Sequence, residues 1–260
     1  MLSAGYKLNK LSRRNMNDWQ WQDGFLVCNL LSEWQHGFFT RSHAPQTPDR
    51  LHQLLHAEGK AYRAKQVHGD RVLQNTEIDP NPALAEADGV YAAKAGRTPQ
   101  SVWVCTADCV PVLIGDRRLG SVAAVHAGWR GTASKILAVA IAKFLEQGSQ
   151  LDDLCVALGP AISGNAYQVS QEVAARVLLT IATPQGVSSD PQPDRCRLDL
   201  RAVQQQQLIE MGIGKDRIAI APYCTLTDAQ HFFSYRRNCL EDPGSTSRSP
   251  QVQWSGIATG

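Results

Sequence analysis

Three short segments carry the side chains best suited to chemistry: Gln66–Val67–His68–Gly69, Thr106–Ala107–Asp108–Cys109 and His126–Ala127–Gly128–Trp129–Arg130–Gly131. His68, Cys109 and His126 together offer two imidazoles and a thiol. Such a set suits zinc with three protein ligands, the fourth position staying open for water or substrate. The spacings of 41 and 17 residues match no local metal motif. Spacing alone therefore favours a plainer arrangement, with His68 in a turn and Cys109 and His126 facing the core.

The third segment carries a second signal. Gly128 and Gly131 permit close backbone approach, and Thr132 is expected to open a helix running to Gln147. Free N–H groups at a helix start favour an anion, and Arg130 adds a charged fork suited to phosphate. An ordinary tight turn with an exposed arginine fits the same residues. Arg41 follows Phe38–Phe39–Thr40, and Ser234–Tyr235–Arg236–Arg237 follows Phe232–Phe233. Paired aromatics followed by a basic residue usually mark an anchored strand with a solvated end, with substrate contact the alternative. His43, His52 and His56 read as surface residues.

These segments need rigid elements behind them, and each follows a β-like run beside a turn. Strands are expected at Ala61–Val67, Gly89–Ala92, Ser101–Cys105, Val110–Ile114, Ser121–Val125, Leu154–Leu158 and Arg217–Ala221, on Val/Ile content and turn-rich borders. Trp19–Gln22 and Phe25–Val27 flank Asp23–Gly24 as a hairpin. Helices fit Pro48–Glu58, Thr132–Gln147, Ser170–Thr180 and Leu200–Met211, while Pro184–Arg195 reads as a mobile loop. Strands and helices mix without strict alternation, which predicts one α+β domain over residues 1–240 and a polar tail over 241–260.

Composition closes off several classes. The 26 basic and 24 acidic residues leave a net charge of +2, no footprint for nucleic acid or an anionic membrane. Hydrophobic residues make up 43%, and the longest apolar runs, Val110–Ile114 and Ile136–Ala142, fall far short of the roughly 20 residues of a membrane span. Residues 1–10 show no secretion signal, and seven scattered cysteines without a CxxC pair make no disulfide framework. A soluble cytoplasmic protein, monomeric or homodimeric, is the expectation.

Taken in order, HGFFTR (His36–Arg41), KQVHG (Lys65–Gly69), ADG (Ala87–Gly89), TADCVPVL (Thr106–Leu113), AVHAGWRG (Ala124–Gly131), LGPAI (Leu158–Ile162), Tyr167 with Val169, Cys224–Thr225 and FFSYRR (Phe232–Arg237) form one string. It resembles the YfiH/laccase-domain family, also called multicopper polyphenol oxidoreductases or purine nucleoside phosphorylases. The resemblance implies a mixed α/β sandwich similar to cytotoxic necrotising factor catalytic domains. It also implies a metal, zinc or else copper, on His68, Cys109 and His126. The implied activities are phosphorolysis of adenosine, inosine, guanosine and methylthioadenosine, and adenosine deamination. Asp108, Cys109 and His126 then become the catalytic candidates, and Arg41, Arg130, Ser234 and Arg236 the candidates for binding nucleoside or phosphate. This sequence departs from the family pattern at Ser42–Pro45, at Ala166 and after Arg237.

Other readings remain beside that one. Cys109 with His126 as base suits a thiol-type hydrolase or peptidoglycan-precursor editing, and a metal-dependent binding partner without turnover is a further alternative. Copper polyphenol oxidation is disfavoured, because seven histidines are too few for an additional trinuclear copper cluster.

Overall fold

Two six-stranded sheets face each other in the computed structural model, which describes residues 19–55, 59–78, 84–242 and 251–259. The first sheet runs Trp19–Gln22, Phe25–Cys28, His36–Phe38, Gln253–Ala258, Gln100–Thr106, Lys60–Arg63. The second runs Ile218–Ile220, Leu154–Leu158, Val110–Asp116, Val122–Ala127, Gly89–Ala92, Val72–Gln74. A small third sheet joins Gln168–Ser170, Arg195–Leu198 and Val187–Ser189.

Side-chain alternation explains the layering. Leu26, Phe38, Val102, Val104 and Ile257 of the first sheet meet Val90, Leu113, Val122, Ala124 and Ala157 of the second in a shared core. The second sheet's other face, through Val112, Ile114 and Val125, packs on helices Ile136–Glu146 and Leu200–Glu210. Helix Pro48–Leu55 covers the first sheet's outer face, setting Leu51 and Leu55 on Phe25, Phe39 and Trp103. Val110–Asp116 is buried along its whole length. A strand covered on both faces needs a continuous apolar run, which is what its sequence has. The result is an α+β fold with a mixed two-sheet sandwich at its centre. Among the described residues no helix is long and apolar enough to cross a membrane.

Several expectations hold closely. Gly89–Ala92 and Leu154–Leu158 are strands with the expected bounds, and Ser170 caps helix Gln171–Leu178 by accepting the Val173 N–H. Others need correction. The expected polar tail over 241–260 contains strand Gln253–Ala258, which pairs with Gln100–Thr106 on one side and His36–Phe38 on the other. Gly256 hides this strand in the sequence, yet it is required there. A Cβ at 256 would lie 2.4 Å from the Trp103 ring.

The helix expected over Thr132–Gln147 is two pieces, Trp129–Ala133 and Ile136–Glu146, with Lys135 between them at φ 57. Gln207 donates to the Thr132 carbonyl at 3.0 Å, diverting that acceptor from an uninterrupted helical ladder. Arg130 therefore sits inside a five-residue helix rather than before a long one. The loop expected at Pro184–Arg195 includes strand Val187–Ser189, which pairs with Arg195–Leu198. The strand expected to reach Val67 ends at Arg63.

His52, expected on the surface, is buried, and its Nδ1 lies 2.6 Å from the Ser101 hydroxyl. It shares the inward face of its helix with Leu51 and Leu55. His43 is half-buried, its ring meeting Phe25 and Phe39 edge-on. His56, the helix end at Glu58, the segment expected to lack a secretion signal, and residues 243–250 of the expected tail lie outside the described residues.

Candidate metal centre

Strand pairing makes the first two members of the site neighbours. Val110–Asp116 and Val122–Ala127 are antiparallel with Val110 opposite Ala127 and Pro111 opposite His126. Cys109 immediately precedes one strand and His126 nearly ends the other, so both project at the same end of the sandwich. His68 arrives from the loop after Lys60–Arg63 and adopts φ 60. Its ring stands edge-on to His126 at a centroid distance of 4.8 Å.

The donor atoms of His68, Cys109 and His126 all lie within 4.8 Å of one another. His126 is buried, Cys109 half-buried and His68 exposed, so the cluster opens toward solvent on the His68 side. Gly128 closes the opposite side. A Cβ there would come within 2.8 Å of Cys109 Sγ. Two imidazoles and a thiol around a small open volume form a donor set that fits a zinc-type ion.

The electrostatics favour the metal-binding form of the thiol. Burial pushes the Cys109 thiol up, but hydrogen bonds and charge from His126 and His68 outweigh it, and its pKa is lowered to about 7. Burial pulls His126 down, while Asp88 and Cys109 outweigh that and raise it to about 9. A thiolate is the species that ligates metal or attacks as a nucleophile.

Sequence reasoning quoted ADG but gave Asp88 no role, and the structure supplies one. The fully buried Asp88 carboxylate accepts the backbone N–H groups of Val67 (3.1 Å), His68 (2.9 Å) and Gly69 (2.7 Å). Its Oδ1 also lies 2.7 Å from His126 Nδ1. Burial pushes this carboxyl up, but the bonds from His126, Gly69 and Val67 prevail and hold it below the usual range. Gln66 was quoted in the same way. Its side-chain amide donates to the Cys105 carbonyl and accepts the Cys105 N–H, both at 2.8 Å, imitating one rung of a β-ladder. The available signal for Asp88 was a polar side chain at the border of the buried strand Gly89–Ala92; Gln66 carried none.

Asp108, at φ 92, organises the other flank. Its Oδ1 accepts the Thr225 hydroxyl at 2.6 Å, and its Oδ2 accepts the Ser234 hydroxyl at 3.0 Å and the Arg236 N–H at 2.7 Å. Ser234 is buried and its oxygen also accepts the Arg237 N–H, capping helix Tyr235–Glu241. The hydroxyl is thus spent within the fold. Arg236 donates to the Gln168 carbonyl at 3.0 Å, and its guanidinium lies 5.3 Å from the Tyr167 ring centre. Arg130 is exposed and stacks over Trp129 at 4.5 Å.

Tyr167, also without a role in the sequence reading, ties this flank to the metal donors. Burial first, then the charges of Cys109 and Asp108, raise its phenol to about 12, opposed by Arg236 and Arg130. Arg41 is placed otherwise. It donates to the Ala229 carbonyl at 2.5 Å and stacks over Phe233 at 4.9 Å, fastening the 229–233 segment.

A family model described as "Multi-copper polyphenol oxidoreductase laccase" matches residues 41–252. A purine nucleoside phosphorylase of Synechocystis sp. is 43% identical over 269 residues, spanning 93% of this chain and 97% of its own. An adenosine deaminase from an unknown prokaryotic organism is 31% identical, spanning 66% of this chain and 68% of its own. The crystal structure of YlmD from Geobacillus stearothermophilus superposes with a TM-score of 0.78 at 24% identity. That match covers 95% of this chain and 99% of YlmD, a likeness of fold.

Proposed function

Since this chain belongs to the multi-copper polyphenol oxidoreductase laccase family, of which YfiH and YlmD are relatives, we propose that it is a zinc-dependent purine nucleoside phosphorylase with adenosine deaminase activity. Adenosine, inosine, guanosine and methylthioadenosine are the substrates. One observation carries the reading: the His68, Cys109 and His126 donors lie within 4.8 Å of one another. Relatives named for both activities support it.

In phosphorolysis a phosphate oxygen bonds to the sugar C1′ as the C1′–N9 bond breaks. The electron pair of that bond leaves with the purine, which takes up the proton that the attacking hydrogen phosphate gives up. Arg130 and Arg236 hold the phosphate and orient it toward C1′, with charge-assisted hydrogen bonds that offset its charge. Tyr167 is half-buried beside Arg236. When bound to His68, Cys109 and His126, zinc supplies a Lewis acid at the open side of the cluster. Asp108 serves as a brace, because three donors already engage its carboxylate. Ser234 belongs to that brace, and Arg41 to the wall it fastens.

Thiol-type hydrolysis is the second reading, favoured by the two histidines beside Cys109, which lower its thiol to about 7 against its burial. The two separate on zinc, which activates phosphorolysis and blocks a Cys109 nucleophile. The test incubates zinc-loaded protein with inosine, with and without phosphate, and follows hypoxanthine release. Phosphate-dependent release that disappears in Cys109→Ala is expected. No release above the variant's background refutes inosine phosphorolysis and directs the next assay to adenosine deamination.

A further inference from the structure

We infer that Asp88 is the positioning residue of the metal centre, one carboxylate that sets both histidine ligands at once. The inference rests on the reading of His68, Cys109 and His126 as metal ligands. A carboxylate only accepts hydrogen bonds, so the contact with Asp88 Oδ1 fixes a proton on His126 Nδ1 and leaves Nε2 as the ring nitrogen that can give up its proton to a metal. The same oxygen accepts the His68 N–H, and Oδ2 accepts the N–H groups on either side of His68. Three successive amides converge on one buried group, and that convergence holds His68 in its left-handed conformation. A left-handed non-glycine residue is strained and persists only where its surroundings impose it.

Backbone contacts bind the same pieces together. The His126 N–H donates to the Asp88 carbonyl at 2.7 Å, and the Asp88 N–H donates to the Arg71 carbonyl at 2.9 Å. Asp88 is thus clasped between the strand that ends in His126 and the loop that carries His68. Metal-bound histidines generally donate their second ring nitrogen to a carboxylate, and loss of that partner costs about 10–100-fold in metal affinity. Here the loss falls at the upper end of that range, because it releases two ligands.

Asp88→Asn has the right size and the wrong donors. Its single NH2 must face either the His68 and His126 donors or the Val67 and Gly69 donors. The first orientation forces the His126 proton onto Nε2, and the second frees the His68 loop.

The test measures zinc affinity of the full chain by competition with a chromophoric chelator. It compares wild type, Asp88→Asn and Gln66→Ala, with circular dichroism reporting the fold of each. Zinc binding weakened about 100-fold in Asp88→Asn and only a few-fold in Gln66→Ala is expected. Ring-nitrogen NMR of wild-type protein labelled at histidine gives a readout that depends on no variant. His126 is expected to show a protonated Nδ1 and a zinc-shifted Nε2. A folded Asp88→Asn that binds zinc as wild type does, or a His126 that ligates through Nδ1, overturns the inference alone. A wild type that takes up no zinc overturns the metal reading, and this inference with it.

Discussion

Asp88 accepts three backbone N–H groups and one imidazole, whereas Asp108 accepts two hydroxyls and one backbone N–H. Both are buried, and they sit on different flanks of one site. Asp88 grips the two segments that carry His68 and His126. Asp108 grips Thr225, Ser234 and Arg236, all more than a hundred residues away along the chain. The metal flank is therefore assembled mainly from sheet ends and one adjoining loop. The Asp108 flank is assembled by a long-range brace. Damage to one should leave the other largely intact.

The largest expected effect tests the metal flank. Cys109→Ala should bring zinc content by elemental analysis, and hypoxanthine release with it, down to background. Next comes the brace. Asp108→Ala leaves Thr225, Ser234 and the Arg236 N–H without their acceptor and should cost roughly 2–3 kcal/mol in urea unfolding, at unchanged zinc stoichiometry. Zinc lost together with the brace would mean that the two flanks are one unit. Smaller still, Arg236→Ala should raise the KM for phosphate about tenfold, with zinc content unchanged. A lowered kcat at constant KM would instead give Arg236 a role in the reacting step.

The smallest effect comes from outside both flanks and serves as a control for acid sensitivity. Burial lowers His36 from 6.5 to about 4, opposed by its bond to the Trp34 carbonyl. Between those values the unfolded chain binds the extra proton, so stability is full above pH 6.5 and falls as pH drops toward 4. Going from pH 7 to 5.5 should cost about 1 kcal/mol, measured as a shift in the urea midpoint. His126, raised to about 9, gains stability over the same interval, so the His36 loss is read as the difference between wild type and His36→Gln; no difference would show that His36 is protonated within the fold.

Cys109 and His126 were legible as residue types beside strand ends, His68 as a residue in a turn, and the family resemblance joined the three into a set. Local patterning also marked Gly89–Ala92, Leu154–Leu158 and the Ser170 cap, where apolar runs and a capping residue suffice. What stayed hidden depends on partners distant in sequence. Asp88 draws its meaning from Val67–Gly69 and His126, and Gln66 from Cys105. Gln253–Ala258 reads as a small polar segment until Trp103 is laid against Gly256. The helix break at Lys135 needs Gln207 from another helix. No window along the chain contains these pairs.

The placement of Gln253–Ala258 has a consequence for how the protein is made. Ser255 pairs with Phe38 on one side and Val104 on the other. During synthesis both neighbours emerge long before the strand that separates them. The second sheet has all six of its strands once Ile218–Ile220 is out, while the first must keep a gap open for its central member. Until that strand arrives, His36–Phe38 and Gln100–Thr106 present facing unpaired edges, which are templates for mispairing. The two halves of the sandwich therefore mature on different schedules, and the interval between them is when a nascent chain most needs a chaperone.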